Sequence, residues 1–228
     1  MFIRKDNTLN LKWILIGTLI VLALVLGGVF LWDKPLYMLI HPSSCNSSWN
    51  LLDGGLCSFA FIIGKIFKAK IWLVGSFLSV LFFFVYKALR NERDFRYAFV
   101  KIKNSYVFYT FCSVMLATIS VGFLKVLIGR ARPILFEALG KTFFEPWTFN
   151  NVFNSMPSGH TAVSFAGLVM IGMLFPRIKW ATWTMGIIIA VSRVYIGLHW
   201  PSDVILGAFI GMLCADIVKA ALRRINTK

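Results

Sequence analysis

The feature that most constrains this chain is a run of twenty residues without a charge, from Trp13 to Trp32. An α-helix rises about 1.5 Å per residue, so this run is long enough to cross a hydrocarbon core of roughly 30 Å. We interpret it as a retained membrane span. A cleaved signal peptide is the alternative, but the run is longer than a signal core and no small-residue cleavage pattern precedes Asp33.

Further apolar runs indicate that most of the chain is embedded in a bilayer. Hydrophobic residues make up 58% of the chain and charged residues 14%, against about 45–50% and about 25% in soluble domains. We therefore predict an all-α integral membrane bundle of six transmembrane helices, forming one domain over residues 1–228. The five further runs are 71–86, 105–124, 161–176, 180–197 and 204–218.

The distribution of basic residues predicts the orientation. With the N-terminus in the cytoplasm, fifteen of the 24 Lys and Arg residues lie on the cytoplasmic side, as the positive-inside tendency requires. Both termini are then cytoplasmic, and the segments 33–70 and 130–156 lie outside. The net charge of +15 is spread between hydrophobic segments rather than over one soluble face, so we predict no nucleic-acid partner.

The first outer segment contains three lysines, Lys65, Lys68 and Lys70, that follow apolar residues. We favour the outer end of the second span with snorkelling lysines over an interfacial amphipathic helix. Cys45 and Cys57 both face the outer compartment, where a disulfide and two free thiols are equal alternatives.

The cysteines do not indicate a metal site. None of the four stands in a CxxC pair or in a His/Cys zinc spacing, and Cys112 and Cys214 lie in apolar runs as small packing residues. We predict no metal and no cofactor.

The first of three polar clusters ends the third span as "KVLIGRARP". Seven residues, about two helical turns, separate Lys125 from Arg132, so both cations point the same way if the helix continues through Gly129. Pro133 then helps to end it. Taken alone, this cluster is more typical of a basic membrane collar.

The second cluster, "PSGH", opens the fourth span. Ser158 is expected to cap the helix, leaving the backbone N–H groups of Ser158, Gly159 and His160 free for an anion. Gly159 allows a ligand to approach closely. His160 alone is more typical of a polar interfacial residue.

The third cluster, "SRVYIGLHWPSD", connects the last two spans. If the sixth helix begins near Pro201, Asp203 is close enough to orient one nitrogen of His199 and leave the other as a nucleophile. Arg193 lies in an apolar stretch, where a charge requires a polar cavity or a partner. The alternative for Arg193 is an internal salt bridge to Asp203.

The alternating topology brings all three clusters to one membrane face, together with two of the three histidines. Cations, helix-terminal N–H groups, a nucleophile and an acid are what phosphate chemistry requires. The sequence resembles the type 2 phosphatidic acid phosphatases, whose three-part signature KxxxxxxRP, PSGH and SRxxxxxHxxxD is complete here. The resemblance covers roughly residues 71–218.

This resemblance implies a metal-independent phosphohistidine mechanism. His199 is expected to attack phosphorus, Asp203 to hold its tautomer, and His160 to protonate the leaving group and then activate water. The expected phosphate ligands are Lys125, Arg132, Ser158, Gly159 and Arg193. The role of Arg130 is left open among three contacts: a second phosphate, the headgroup of the substrate, or only the phosphate of surrounding lipid.

The family's candidate substrates are phosphatidic acid, phosphatidylglycerol phosphate, undecaprenyl pyrophosphate and lipid A phosphates. We favour an envelope lipid in a bacterial inner membrane, with the site on the periplasmic face. Two alternatives are a vanadate-dependent haloperoxidase-like enzyme, whose anion pocket the same motifs resemble, and a non-enzymatic membrane carrier that binds an anion or a lipid.

Overall fold

A computed structural model of the chain describes residues 2–4, 8–42, 45, 55–91, 102 and 105–226. No β-strand occurs in these ranges beyond isolated bridges, so the predicted all-α class is confirmed. A π-helical turn, Gly28–Trp32, joins the first two helices. The helices are α1 (Leu11–Gly27), α2 (Asp33–Ile40), α3 (Gly55–Ile66), α4 (Ala69–Asn91), α5 (Tyr106–Ile128), α6 (Pro133–Leu139), α7 (Gly159–Leu174), α8 (Lys179–Tyr195) and α9 (Pro201–Asn226).

Within the part of the chain that the structure describes, four helical stretches are long and apolar enough to cross a membrane: Leu11–Ile40, Ala69–Leu89, Tyr106–Ile128 and Pro201–Arg223. Helix α7 is apolar but has only 16 residues, and α8 has 17. Most of α7 is buried by other helices, and a helix surrounded by protein need not match the bilayer thickness by itself. The count of six spans stays a prediction.

The core of the bundle lies between α5, α7 and α9. Its largest cluster of buried side chains comprises Tyr109, Phe165, Val169, Met170, Ala215 and Val218. Because lipid tails are as apolar as these side chains, close packing rather than hydrophobicity holds such helices together.

Two glycines bring the backbones of α7 and α9 together. Gly207 and Gly211 are four residues apart on one face of α9, and a Cβ at Gly207 would lie 2.6 Å from the carbonyl oxygen of Ser158. A Cβ at Gly211 would overlap the carbonyl oxygen of Ala162. This small-xxx-small spacing is a known signal for close helix packing. It joins the start of α7 to the start of α9, where the Ser158 N–H donates to the Asp203 carbonyl oxygen at 3.0 Å.

The first outer segment forms a separate helix instead of the outer end of the second span. Helix α3 ends at Ile66, and Phe67 and Lys68 interrupt the chain before α4 begins at Ala69. The favoured sequence interpretation, the outer end of the second span, therefore holds for Lys70 in the first turn of α4 but not for Lys65, which lies in α3. All three lysines of the segment, Lys65, Lys68 and Lys70, are exposed around this break, while α3 packs against α8.

A disulfide joins Cys45 to Cys57, with their Cα atoms 5.9 Å apart. Cys45 is buried against Ala60 of α3 and Ile196, which follows α8. This decides between the two alternatives that the sequence left open. The bridge therefore links the segment that precedes α3 to α3 itself, and α3 packs against α8.

Candidate active site

The first cluster is divided by a helix end. Helix α5 stops at Ile128 because Gly129 has a left-handed conformation, with φ of 58°, and its N–H donates to the Lys125 carbonyl oxygen at 3.0 Å. A side chain at Gly129 would overlap the carbonyl of Glu145, so only glycine fits this close turn. Lys125 therefore lies on the helix and Arg132 beyond it. The prediction that one helix carries both cations is wrong.

Backbone pairing holds the chain that carries Arg132. The Ala131 N–H donates to the Phe143 carbonyl oxygen at 2.9 Å, and the Arg132 N–H donates to Val152 at 2.9 Å. The Arg132 guanidinium donates from Nε to the Asn151 carbonyl oxygen at 3.0 Å and from Nη1 to the Leu198 carbonyl oxygen at 3.5 Å. These contacts hold the Arg132 guanidinium beside Leu198, the residue that precedes His199.

The second cluster differs from prediction at Ser158. This buried residue occupies the N-cap position, but its side chain makes no cap; its Oγ accepts a hydrogen bond from Thr161 Oγ1 at 3.0 Å. The Ser158 N–H donates to the Asp203 carbonyl oxygen. The prediction that this N–H is free to bind an anion is therefore wrong. Gly159 and His160 occupy the first two positions of α7, where N–H groups have no partner within a helix.

Lys125 reaches the start of α7 from the neighbouring helix. Its Nζ donates to the carbonyl oxygen of Asn154, and a Cβ at Gly159 would lie 3.6 Å from Lys125 Cε. That distance is an ordinary van der Waals contact, so Lys125 packs directly beside the start of α7. The close approach of a ligand at Gly159 stays a prediction.

The third cluster brings His199 and Asp203 together where α9 begins. The His199 ring is buried, and its Nδ1 lies 3.6 Å from Asp203 Oδ2, longer than a hydrogen bond. Burial, together with the charges of Lys125 and Arg132, lowers the pKa of His199 to about 4, against the opposing effect of Asp203. The imidazole is therefore neutral at pH 7.

Both carboxylate oxygens of Asp203 are occupied. Oδ2 accepts hydrogen bonds from Ser155 Oγ and, at 2.9 Å, from the Trp200 N–H. Oδ1 accepts from Arg130 Nη1 at 2.8 Å. The salt bridge from Arg193 to Asp203, the alternative considered from the sequence, is therefore wrong, because Arg130 is the ion-pair partner.

Arg193 is held by α3. Its Nη2 donates to the carbonyl oxygen of Ala60 at 2.7 Å and to Ser192 Oγ at 3.0 Å. Gly64, one turn further along α3, leaves no room for a Cβ beside the Arg193 guanidinium. The position of this cation thus depends on a helix outside the three motifs.

Six of the eight predicted site residues belong to one electrostatic cluster. The His160 ring lies within reach of the charges of Arg193, Lys125 and Arg132 and of the His199 ring, while Lys125 and Arg132 also interact with Asp203. Three cations and two imidazoles within electrostatic range of one another suit a phosphoryl group. Ser158 and Gly159, the other two residues, line the same region through their backbone.

Two residues at this face were not recognised from the sequence. Arg130 is buried, and its Nη2 donates to Asp33 Oδ2 at 2.7 Å, so none of the three roles considered for it describes its contacts. Asp33 follows the first apolar run directly, and an acid at the end of a span is a signal that could have identified it. The third histidine, His41, also lies nearby, with Nδ1 at 2.7 Å from the Tyr195 carbonyl oxygen.

Comparison with known proteins adds three findings. The family model described as PAP2 superfamily matches residues 106–226. A lipid A 1-phosphatase of Rhizobium johnstonii is 32% identical over 197 residues, covering 84% of this chain and 74% of that protein. An undecaprenyl-diphosphatase of Sulfolobus acidocaldarius is 48% identical over 61 residues, 25% of this chain and 28% of that protein.

A solved structure shares the fold. The crystal structure of Aquifex aeolicus LpxE aligns with a TM-score of 0.54 and 23% sequence identity. The alignment covers 84% of this chain and 96% of that one.

Proposed function

Because this chain belongs to the PAP2 superfamily, we propose that it is a lipid phosphatase that works through a phosphohistidine on His199, without a metal or a cofactor. The observation that carries this proposal is the neutral, buried imidazole of His199 beside Asp203, in a cluster with His160 and three cations. A neutral imidazole is a nucleophile, and surrounding cations attract the phosphoryl group that it attacks.

The first step is attack by His199 on phosphorus. Nδ1 faces Asp203, so Nε2 forms the bond to phosphorus while the bond from phosphorus to the lipid oxygen breaks. Burial and the neighbouring cations lower the pKa of His160 to about 3 in the free site, so His160 takes up its proton when the negatively charged phosphate binds and offsets those charges. It then donates that proton to the leaving oxygen. The imidazole becomes positively charged as the bond forms, and the carboxylate of Asp203 stabilises that charge.

The second step is hydrolysis of the phosphohistidine. His160, now neutral, takes a proton from a water molecule that attacks phosphorus on the side the lipid has left. Lys125, Arg132 and Arg193 bind the phosphoryl oxygens in both steps. The N–H groups of Gly159 and His160, at the start of α7, add donors for the developing negative charge.

The substrate is a membrane lipid phosphate, and we favour a lipid A phosphate. The relative named lipid A 1-phosphatase covers 84% of the chain, whereas the undecaprenyl-diphosphatase covers 25%. A site at the end of the bundle allows the lipid tails to remain in the bilayer. Undecaprenyl pyrophosphate is the second candidate.

The proposal includes a location for the site. We place residues 1–228 as one domain with six spans in a bacterial inner membrane, both termini in the cytoplasm and the site on the periplasmic face. The distribution of Lys and Arg supports this orientation. The disulfide between Cys45 and Cys57 supports it too, since such bridges form in oxidising compartments.

The test is phosphate release by purified protein in detergent, without added metal, from lipid A, undecaprenyl pyrophosphate and phosphatidic acid. We expect His199→Ala to lower the rate at least about 1,000-fold while the protein keeps its fold. His41→Ala is the matched control, since His41 contacts Tyr195 and Glu137 rather than the cation cluster, and it should retain phosphate release.

Three outcomes would contradict the proposal. Undiminished release by His199→Ala would reject the nucleophile. Lipid binding by the wild type without release would support a carrier, and activity that requires vanadate and peroxide would support a haloperoxidase-like enzyme.

A further inference from the structure

A buried acid outside the signature motifs is connected to the site. Asp33 is 2% exposed at the start of α2, and it precedes the range that the family model matches. Its Oδ1 accepts the Ser202 N–H at 2.8 Å. Its Oδ2 accepts Arg130 Nη2 at 2.7 Å and the hydroxyl of Ser202. This carboxylate therefore joins the first span to the start of α9.

Arg130 lies between two carboxylates. Nη2 binds Asp33, while Nη1 binds Asp203 Oδ1 at 2.8 Å and Ser202 Oγ at 2.7 Å. The guanidinium carbon also lies 5.2 Å from the centre of the Trp200 ring. Residue Arg130 is 1% exposed and Asp203 is 0% exposed, so water does not compensate either charge.

Arg130 divides its two Nη groups between two carboxylates, so negative charge remains on Asp203 to interact with His199. Arg130 contributes one positive charge and the two carboxylates contribute two negative charges, so the buried group carries a net charge of about −1 at neutral pH. With Asp33 removed, both Nη groups are free to bind Asp203 in the two-pronged geometry that arginine and carboxylate prefer. Nη2 would then compete with Ser155 and the Trp200 N–H for Oδ2 of Asp203, and the carboxylate would lose part of the negative charge that faces His199.

We propose that Asp33 is a positioning residue for phosphoryl transfer, holding Arg130 so that Asp203 keeps Oδ2 and a net negative charge directed at His199. This inference rests on the proposed function. Asp33 itself touches neither substrate nor nucleophile.

The inference predicts which step depends on Asp33. The imidazole gains a positive charge when Nε2 bonds to phosphorus, the phosphorus–oxygen bond to the lipid breaks, and the leaving oxygen takes the His160 proton. Lipid binding precedes that charge change. Loss of Asp33 should therefore slow formation of the phosphoenzyme and leave the affinity for the lipid unchanged.

The experiment measures kcat, KM and phosphoenzyme formation by rapid quench for Asp33→Asn. We expect kcat to fall about 10- to 100-fold, as for loss of a hydrogen bond to a charged group, with KM within about threefold. Asp33→Glu restores the charge and should recover part of the rate. Asp216→Asn is the matched control, since Asp216 is an equally buried acid of α9 that binds the Phe2 N–H, and its kcat should stay within about threefold of the wild type.

A second variant keeps the test decisive if Asp33→Asn does not fold. Arg130→Lys retains the positive charge but not the fork that reaches two carboxylates, so it should show the same loss in kcat at unchanged KM. Wild-type kcat per folded molecule in Asp33→Asn or Arg130→Lys would overturn the inference, as would a change confined to KM. Phosphate release by His199→Ala would instead overturn the proposed function.

Discussion

At the scale of single residues, the proposed mechanism requires a neutral imidazole at His199. His199 has lost contact with water, and the nearest carboxylate, Asp203, is committed to other donors. Burial disfavours the charged ring, and the cations Lys125 and Arg132 add to that effect. The ring is thus kept neutral at neutral pH, as the proposed nucleophile requires, without a hydrogen bond to Asp203.

This environment predicts how His199 titrates. Because burial lowers its pKa to about 4, the free ring should stay neutral as the pH falls from 7.5 to 5.5 and take up a proton only near pH 4. An ordinary histidine titrates near about 6.5. With three histidines in the chain, ¹⁵N NMR of histidine-labelled protein resolves the rings, and single variants assign them.

The opposite result would be equally clear. If the His199 resonances shift with a midpoint near 6.5, the ring is hydrated and the buried-nucleophile description fails. Added inorganic phosphate should move the midpoint upward, since a bound anion offsets the surrounding positive charges.

The scale of helices explains how these residues reach their positions. The ends of the helices position the charged residues. Because α5 ends at Gly129, Arg130 turns inward to bind Asp203, and Arg132 lies in the following loop, where it binds the Asn151 carbonyl oxygen. Similarly, the break at Phe67 and Lys68 separates α3 from α4. Helix α3 is then free to lie against α8 and hold Arg193 through the carbonyl oxygen of Ala60.

A glycine at the contact between α3 and Arg193 provides a test at this scale. Gly64→Ala should displace the guanidinium, because the new Cβ would overlap it. Loss of a charged contact to phosphate corresponds to a fall in kcat/KM of about 10- to 100-fold. The measurement is phosphate release at several lipid concentrations.

Gly75→Ala is the matched control for this prediction. Gly75 lies in α4 with nothing within 4 Å of an added Cβ, so kcat/KM should remain at the wild-type value. Equal activity of both variants would show that α3 does not determine the position of Arg193.

At the scale of the whole molecule, the site exists only because the helices alternate in direction. Lys125 lies in the last turn of α5 and His160 in the first turn of α7, while Arg193 lies in the last turn of α8 and Asp203 in the first turn of α9. Close packing of α7 on α9 through Gly207 aligns two of these ends. A lipid phosphate can reach this end of the bundle while its tails stay in the membrane.

The orientation predicts which positions are accessible from outside. In a background with Cys112 and Cys214 replaced by alanine, Glu145→Cys should react with a membrane-impermeant maleimide on intact spheroplasts. Arg177→Cys should react only after permeabilisation, since it follows α7 at the other end of the bundle. Both positions are exposed in the fold, so a difference reports on topology; labelling in the reverse order would invert the predicted orientation.

The amino-acid sequence by itself determined the all-α class, the phosphate chemistry and the residues grouped around it. These follow from local properties: apolar length sets the helices, and the motif spacings carry the cations and histidines on successive span ends. Only the tertiary structure decided that Arg130 pairs with Asp33 and Asp203, and that Ser158 donates its N–H to α9. Long-range contacts of this kind join residues as many as 169 positions apart, as between Asp33 and Ser202, and which buried charge meets which partner depends on how the helices pack.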